Sequence, residues 1–299
     1  MSKPTPVFAP GAWLGMLGGG QLGRMWVHAA QSMGYRCMVL DPDPLSPAGA
    51  AADRHLQADY LDAAALQTLG ETCAAVSTEF ENVPAQALRT LAQCSRVTPN
   101  ADAVSIAQDR AREKAHFQAC GVPVAPHRVI EHADQLAHVP DDLLPGILKT
   151  ARMGYDGKGQ ARVASQKEAI EAFHKFSKQE CVLEKMLPLD MEVSLVLARD
   201  QKGHIKTFNA SENIHTNGIL DVSIVPARST QAINDLVDQL AKSVAEALNY
   251  VGVLGVEFFI SEGKVFVNEI APRPHNSGHH SLDSCLTSQF EQQVRALAR

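Results

Sequence analysis

Apolar and polar positions follow two rhythms over the first hundred residues. A short apolar run, Trp13–Leu17, has the length of a buried strand, and apolar residues then recur at helical spacing from Gln21 to Met33, where Gly34 stops them. The segment YRCMVLD (35–41) predicts a second strand ending in Asp41, and CAAVSTEFE (73–81) a third. Helices are expected between them at LDAAALQTLG (61–70) and PAQALRTLAQ (84–93), while the proline-rich stretch PDPLSPAGAAADRH (42–55) reads as a loop. Strand–helix alternation of this kind predicts a parallel, right-handed α/β layer.

The pattern changes after residue 100. TPNADAVSIAQDRAREKAHFQAC (98–120) reads as one linking helix that sets Arg110 and Lys114 a turn apart on one face. GILKTARMGYDGKGQARV (146–163) reads as strand, glycine loop, strand, with Lys149 closing the first strand. Strand-like runs recur in CVLEKMLPLDMEVSLVLARD (181–200), followed by a hairpin about Gly203. VGVLGVEFFISEGKVFVNEIAPRPHNSGHH (251–280) then joins two nearly continuous apolar strands through SEGK. The expected organisation is three α/β or α+β units at 1–103, 104–186 and 187–299.

Composition narrows the function classes. A chain of 299 residues with 45% hydrophobic content can bury more than one core. Its net charge of -6, without any Lys/Arg-rich run, argues against nucleic acid as a partner. The six cysteines form no C-x-x-C pair, which argues against a thiolate zinc site or a disulfide framework and suits reduced thiols in a cytosolic protein. No signal-peptide pattern opens the chain, and no apolar run approaches the ~18 residues of a membrane span.

Four stretches carry candidate chemistry. Gly18, Gly20 and Gly23 have G-x-G-x-x-G spacing and Asp41 lies near the ribose-acid offset, so a nicotinamide or flavin site is one reading; a phosphate at the helix N-terminus, or plain close packing, are others. Glu79 and Glu81 at the third strand's end are crevice carboxylates or solvated loop acids. Lys149 and Lys158 with Gly154, Gly157 and Gly159 fit a lid over a polyphosphate, without Walker A spacing. Glu184 and Glu192 suit a ribose or an adenine amine, or are sheet-rim charges. Glu257 and Glu269 in apolar strands suit Mg²⁺ shared with phosphates. A two-residue turn at Glu262-Gly263 would set Glu257 opposite Asn268, so an odd-length loop is expected if both acids are to share a face. Beyond them, Arg273, His275, Asn276, Ser277 and His279 suit an anionic co-substrate, with a His-based zinc site as the rival.

Lys149, GYDGKGQ, LEKMLPLDMEVS, ENIHTNGILDVSIVPAR, GVEFF and NEIAPRPHNSGHH together resemble the ATP-grasp superfamily. Within it the chain is similar, over nearly its whole length, to the N5-carboxyaminoimidazole ribonucleotide synthetases of purine biosynthesis. The resemblance implies an ATP-grasp fold behind a Rossmann-like pre-ATP-grasp domain at 1–103, a small lid domain at 104–186 and a large domain at 187–299. It implies ATP contacts from Arg110, Lys149, the loop Gly154, Tyr155, Asp156, Gly157, Lys158, Gly159 and Gln160, then Glu184, Lys185, Met186, Leu187, Glu192, His215, Asn268 and Glu269. Mg²⁺ would be carried by Glu257 and Glu269. Gly20, Gln21, Leu22, Glu79, Tyr155, Asp156, Arg273, His275 and Asn276 would line the ribonucleotide and bicarbonate region. Lys149, Asp156, Arg273 and His275 are then the candidate catalytic groups, and GGGQLGRM marks a ligand site without implying NAD. The implied reaction is a two-step ligation through carboxyphosphate in a cytoplasmic homodimer; the alternatives are another ATP-grasp ligase or an ATP-binding chain without turnover. Family members usually continue into a small C-terminal domain with basic contacts to the ribonucleotide phosphate, so in a chain ending at FEQQVRALAR ATP binding is expected to suffer less than ribonucleotide binding.

Overall fold

Three sheets organise the computed structural model, which describes residues 7–152, 154, 159–216 and 218–299. The first contains β1 (Trp13–Leu17), β2 (Arg36–Leu40), β3 (Arg54–Leu56), β4 (Ala75–Thr78) and β5 (Arg96–Val97) in the order β3-β2-β1-β4-β5. Every pairing in it is parallel, as the alternation predicts. The first helix, Gln21–Ser32, ends with Gly34 at φ +85° returning its N–H to the Gln31 carbonyl.

Three expectations change. The stretch 42–55 is not all loop: it holds a helix, Pro47–Ala51, and the strand β3. Proline at a helix's first position forfeits only an N–H that would be unpaired anyway, and a three-residue edge strand is too short to show periodicity. Strand β4 stops at Thr78, so Glu79 and Glu81 lie beyond it. The linking helix is two helices, Ala101–Ala107 and Arg110–Ala119, because Asp109 turns extended and its carboxylate accepts the N–H groups of Ala111 and Arg112 as an N-cap.

The second sheet is antiparallel, with β6 (His127–Ile130), β7 (Gly146–Thr150), β8 (Gln160–Val163) and β9 (Cys181–Lys185) in the order β6-β9-β7-β8 over a core of Ile130, Leu148, Phe173 and Leu183. The third has β10 (Met191–Arg199), β11 (Ile205–Thr207), β12 (Ser211–Thr216), β13 (Ile219–Ile224), β14 (Gly252–Ser261) and β15 (Lys264–Ala271). Its path is β13-β12-β10-β14-β15, with β11 hairpinned onto β10 about Gly203. Val237, Ala241 and Val244 of the Gln231–Ala247 helix pack on this sheet against Leu195, Leu254 and Val256.

Register in the last hairpin decides the site. Ser261 pairs with Lys264 across a two-residue turn in which Glu262 and Gly263 both have positive φ. Phe258 still pairs with Val267, but Glu257 pairs with Glu269. The turn therefore keeps its even length, contrary to the odd-length loop expected, and a β-bulge at Asn268 supplies the one-residue shift.

The last helix, Gln289–Ala298, opens on a capping box between Ser288 and Glu291 and returns to the first layer. Phe290, Val294 and Leu297 are buried with Leu14, Trp26 and Val27. Gln293 donates to Ser77 Oγ at 2.7 Å and accepts from the Val253 N–H, tying β4 to β14. Phe290→Ala removes the largest of these apolar anchors and should cost about 3–5 kcal/mol. A denaturant titration would register this as a lowered midpoint; an unchanged midpoint would show that the helix is not part of the cooperative core.

Candidate active site

The glycine loop is occupied by the protein itself. The Gly19 N–H donates to Asp41 Oδ2 at 2.7 Å and the Gly20 N–H to Glu79 Oε2 at 2.5 Å. The amides of Leu22 and Gly23 also favour the charged form of Glu79, so its carboxylate sits where a dinucleotide's pyrophosphate would meet the helix N-terminus. A Cβ at Gly20 would lie 2.5 Å from Glu79 Oε1, and one at Gly18 2.8 Å from Glu79 Cβ. The spacing thus serves the approach of Glu79, and the nicotinamide reading loses its anion site. Burial pushes the Glu79 carboxyl above its ordinary range although the loop amides oppose this. A cavity of about 350 Å³ opens here, lined by Gly19, Gly20, Asp41, Tyr60, Glu79 and Phe80. Gln21 is exposed and Leu22 half-buried, and neither lines it.

A larger cavity, about 780 Å³, lies where the three sheets converge. One wall is cationic. Lys149 Nζ lies 3.2 Å and Lys114 Nζ 3.4 Å from the same oxygen of Glu184, and Arg110 Nη1 is 3.2 Å from Glu269 Oε2. Burial works against the Glu184 charge, but Lys149, Lys114 and Arg110 outweigh it and hold the carboxyl down at about 2. Burial lowers Lys149 against the pull of Glu184, and it raises Glu113 to about 8 despite Arg110. Arg110 Nε, Glu184 Oε1 and Asn268 Oδ1 are buried without a hydrogen-bond partner among the described residues. Each such atom costs about 1–3 kcal/mol unless a ligand satisfies it.

The opposite wall is acidic and carries an oriented histidine. Glu257 Oε1 is 2.9 Å from His275 Nε2, and burial, which disfavours the carboxylate, is outweighed by His275, so the Glu257 carboxyl falls below its ordinary value. Asn213 Nδ2 donates to Ser194 Oγ, and the Ser194 hydroxyl donates to Ser277 Oγ at 2.6 Å. Ser277 Oγ, 2.8 Å from His275 Nδ1, is left to donate there, which places the imidazole proton on Nε2, facing Glu257. The Gln289 side chain accepts the His275 N–H and donates to the His275 carbonyl, fixing the backbone as well.

Of the residues expected at a site, Arg110, Lys149, Gly154, Gly159, Gln160 and Glu192 line this cavity. So do His215, Glu257, Asn268, Glu269, Arg273, His275 and Asn276. Glu192 lies 3.0 Å from His215 Nδ1 and this contact raises the imidazole pKa; Arg273 Nε is 2.9 Å from Glu81. Glu184 is buried behind Lys149, and Lys185, Met186 and Leu187 follow at the end of β9, outside the lining. Tyr155, Asp156, Gly157 and Lys158 lie outside the described residues. His279, the zinc rival's second ligand, is 3.2 Å from the Gln289 amide. Sequence reasoning missed Glu113, Ser194, Asn213 and Gln289, none of which stands in a local pattern that marks it.

Two family descriptions match the chain: the ribonucleotide synthetase preATP-grasp domain over residues 12–108 and the ATP-grasp domain over residues 115–290. N5-carboxyaminoimidazole ribonucleotide synthase of Bacillus subtilis is 42% identical over 99% of this chain and 78% of its own length. The Staphylococcus aureus N5-carboxyaminoimidazole synthetase crystallised with ADP superposes with a TM-score of 0.94 at 38% identity, over 98% of this chain and 79% of that one. The Aspergillus clavatus synthase in complex with ADP and 5-aminoimidazole ribonucleotide gives 0.89 at 32% identity, over 97% and 77%. The three sheets of this chain, the cavity between them and these likenesses agree, and the chain belongs to the ATP-grasp family of N5-carboxyaminoimidazole ribonucleotide synthases.

Proposed function

We infer that the chain carboxylates the 5-amino group of 5-aminoimidazole ribonucleotide at the expense of ATP, with bicarbonate as the carbon source. The observation that carries this reading is the meeting, in one cavity, of half-buried Arg110 and buried Lys149 with the paired acids Glu257 and Glu269. Bicarbonate attacking the γ-phosphate brings two anions together, and the cost of that approach is chiefly electrostatic. Lys149 and Arg110 face the transferring phosphoryl group; Glu192 and His215 hold the nucleoside end. Arg273, His275 and Asn276 hold bicarbonate and the carboxyphosphate formed from it. Glu79, fixed by the loop amides, orients the ribonucleotide so that its amine reaches the carboxyl carbon.

The donor set fits Mg²⁺. Two cross-strand carboxylates and the Asn268 Oδ1, which has no partner among the described residues, line one cavity and offer oxygen alone, and Mg²⁺ keeps water and phosphate ligands in preference to a full protein cage. When bound there it would neutralise phosphate charge. His275, with its proton on Nε2, holds Glu257 ionised and in place.

Purified protein given Mg·ATP and bicarbonate should release ADP in strong dependence on 5-aminoimidazole ribonucleotide; release indifferent to that amine would overturn the substrate assignment. Lys149→Met should lower kcat/KM by roughly 100-fold or more, because a preorganised charge facing the phosphoryl group is lost. Steady-state kinetics with kcat/KM within a few fold of the parent would remove Lys149 from the reaction. Glu184 is held at about 2 against an ordinary 4.5, so its contribution is complete above pH 4.5 and is lost as pH falls through about 2. Denaturation at pH 7 and at pH 2 should therefore show a fall roughly 3 kcal/mol larger in the parent than in Glu184→Gln. Equal falls would mean that another acid governs the transition.

A further inference from the structure

The bulge that aligns Glu257 with Glu269 is not held by its own sheet. Among the described residues β15 is the edge strand, with β14 on one side and no strand on the other. Its outer backbone groups are met instead by the segment around residues 113–124. The Val267 N–H donates to the Pro123 carbonyl at 2.8 Å, and Val124 bridges Val267. At the bulge itself two consecutive side chains of the Arg110–Ala119 helix take over: Lys114 Nζ donates to the Asn268 carbonyl at 2.9 Å, and the Ile270 N–H donates to Glu113 Oε1 at 2.8 Å. Glu113 is 3% exposed and Lys114 0%.

The alternative register is only one residue away. Without the bulge, the two-residue turn would pair Glu257 with Asn268 and turn Glu269 to the other face. A bulge leaves its extra residue unpaired, and a buried carbonyl or N–H left so is costly, so a donor and an acceptor placed beside it favour the bulged register over the regular one. We propose that Glu113 and Lys114 are positioning residues that pin the Asn268 bulge and thereby keep Glu257 and Glu269 together for a divalent cation. Neither needs to touch that cation. Their effect reaches it through the strand, and the inference rests on the assignment of Glu257 and Glu269 as the metal acids.

Glu113 is the cleaner handle, since Lys114 also pairs with Glu184. Glu113→Gln keeps a carbonyl oxygen for Ile270; Glu113→Leu removes the acceptor. Mn²⁺ binding in the presence of ADP, read by electron paramagnetic resonance, should weaken at least tenfold in Glu113→Leu and Lys114→Met and stay within twofold in Glu113→Gln. ADP affinity of Glu113→Leu without metal should change less than twofold, and its Ile270 amide should lose protection from hydrogen exchange while the turn end of β15 keeps its own. Unaltered Mn²⁺ affinity in both loss variants would overturn the proposal, as would an equal loss of metal-free ADP affinity in Glu113→Leu. A Glu113→Leu chain that does not fold, beside a folded Glu113→Gln, would show that the acceptor supports the whole domain and would overturn it too. Failure of the parent protein to hold Mn²⁺ with ADP would instead remove the metal acids themselves.

Discussion

One residue without a cross-strand partner governs which side chains share a face of the large sheet. Strands have a period of two, so a shift of one position at Asn268 exchanges every inward and outward side chain beyond it. The shift carries Glu269 to the face of Glu257, and Asn268 lines the same cavity. It also sets the polypeptide's exit from β15, and with it Arg273 and His275. Arg110, which pairs with Glu269, would lose that partner in the regular register.

The cationic wall follows from a different constraint. Burying Lys114 and Lys149 is costly unless each meets an opposite charge, and both meet a single oxygen of Glu184. That arrangement is over-supplied with positive charge, which explains why the Glu184 carboxyl is held so low and why its second oxygen can remain unpartnered. A site balanced by its own acids would have no reason to attract a polyanion. Here the surplus faces the cavity, and a bound triphosphate would complete the balance that the protein leaves open.

Much of the architecture was legible because it depends on periodicity. β1, the first helix, the Gly203 hairpin and the terminal hairpin all follow from runs long enough to count. The break at Asp109 was not, since an aspartate inside an amphipathic stretch gives the same pattern whether its side chain faces solvent or caps a new helix. The bulge was out of reach for a related reason. Its support comes from residues 113 and 114, more than a hundred and fifty positions away, and no local pattern records a hydrogen bond of that span. The acids could be named from the sequence; their shared face could not.

The glycine loop shows how one sequence pattern can serve opposite electrostatic ends. In a dinucleotide site such a loop keeps its amides free so that an incoming pyrophosphate can take them. Here Asp41 and Glu79, just beyond the ends of the two strands that flank β1, occupy those amides, and the missing side chains at Gly18 and Gly20 are what let Glu79 approach. The helix N-terminus is thereby converted from a binding site for an anion into a mount for a carboxylate. A carboxylate so mounted presents hydrogen-bond acceptors to its cavity, which suits hydroxyl or amine donors and repels phosphate. Among the described residues the smaller cavity has no basic residue in its lining, whereas Arg110 and Lys149 on one wall of the larger present positive charge.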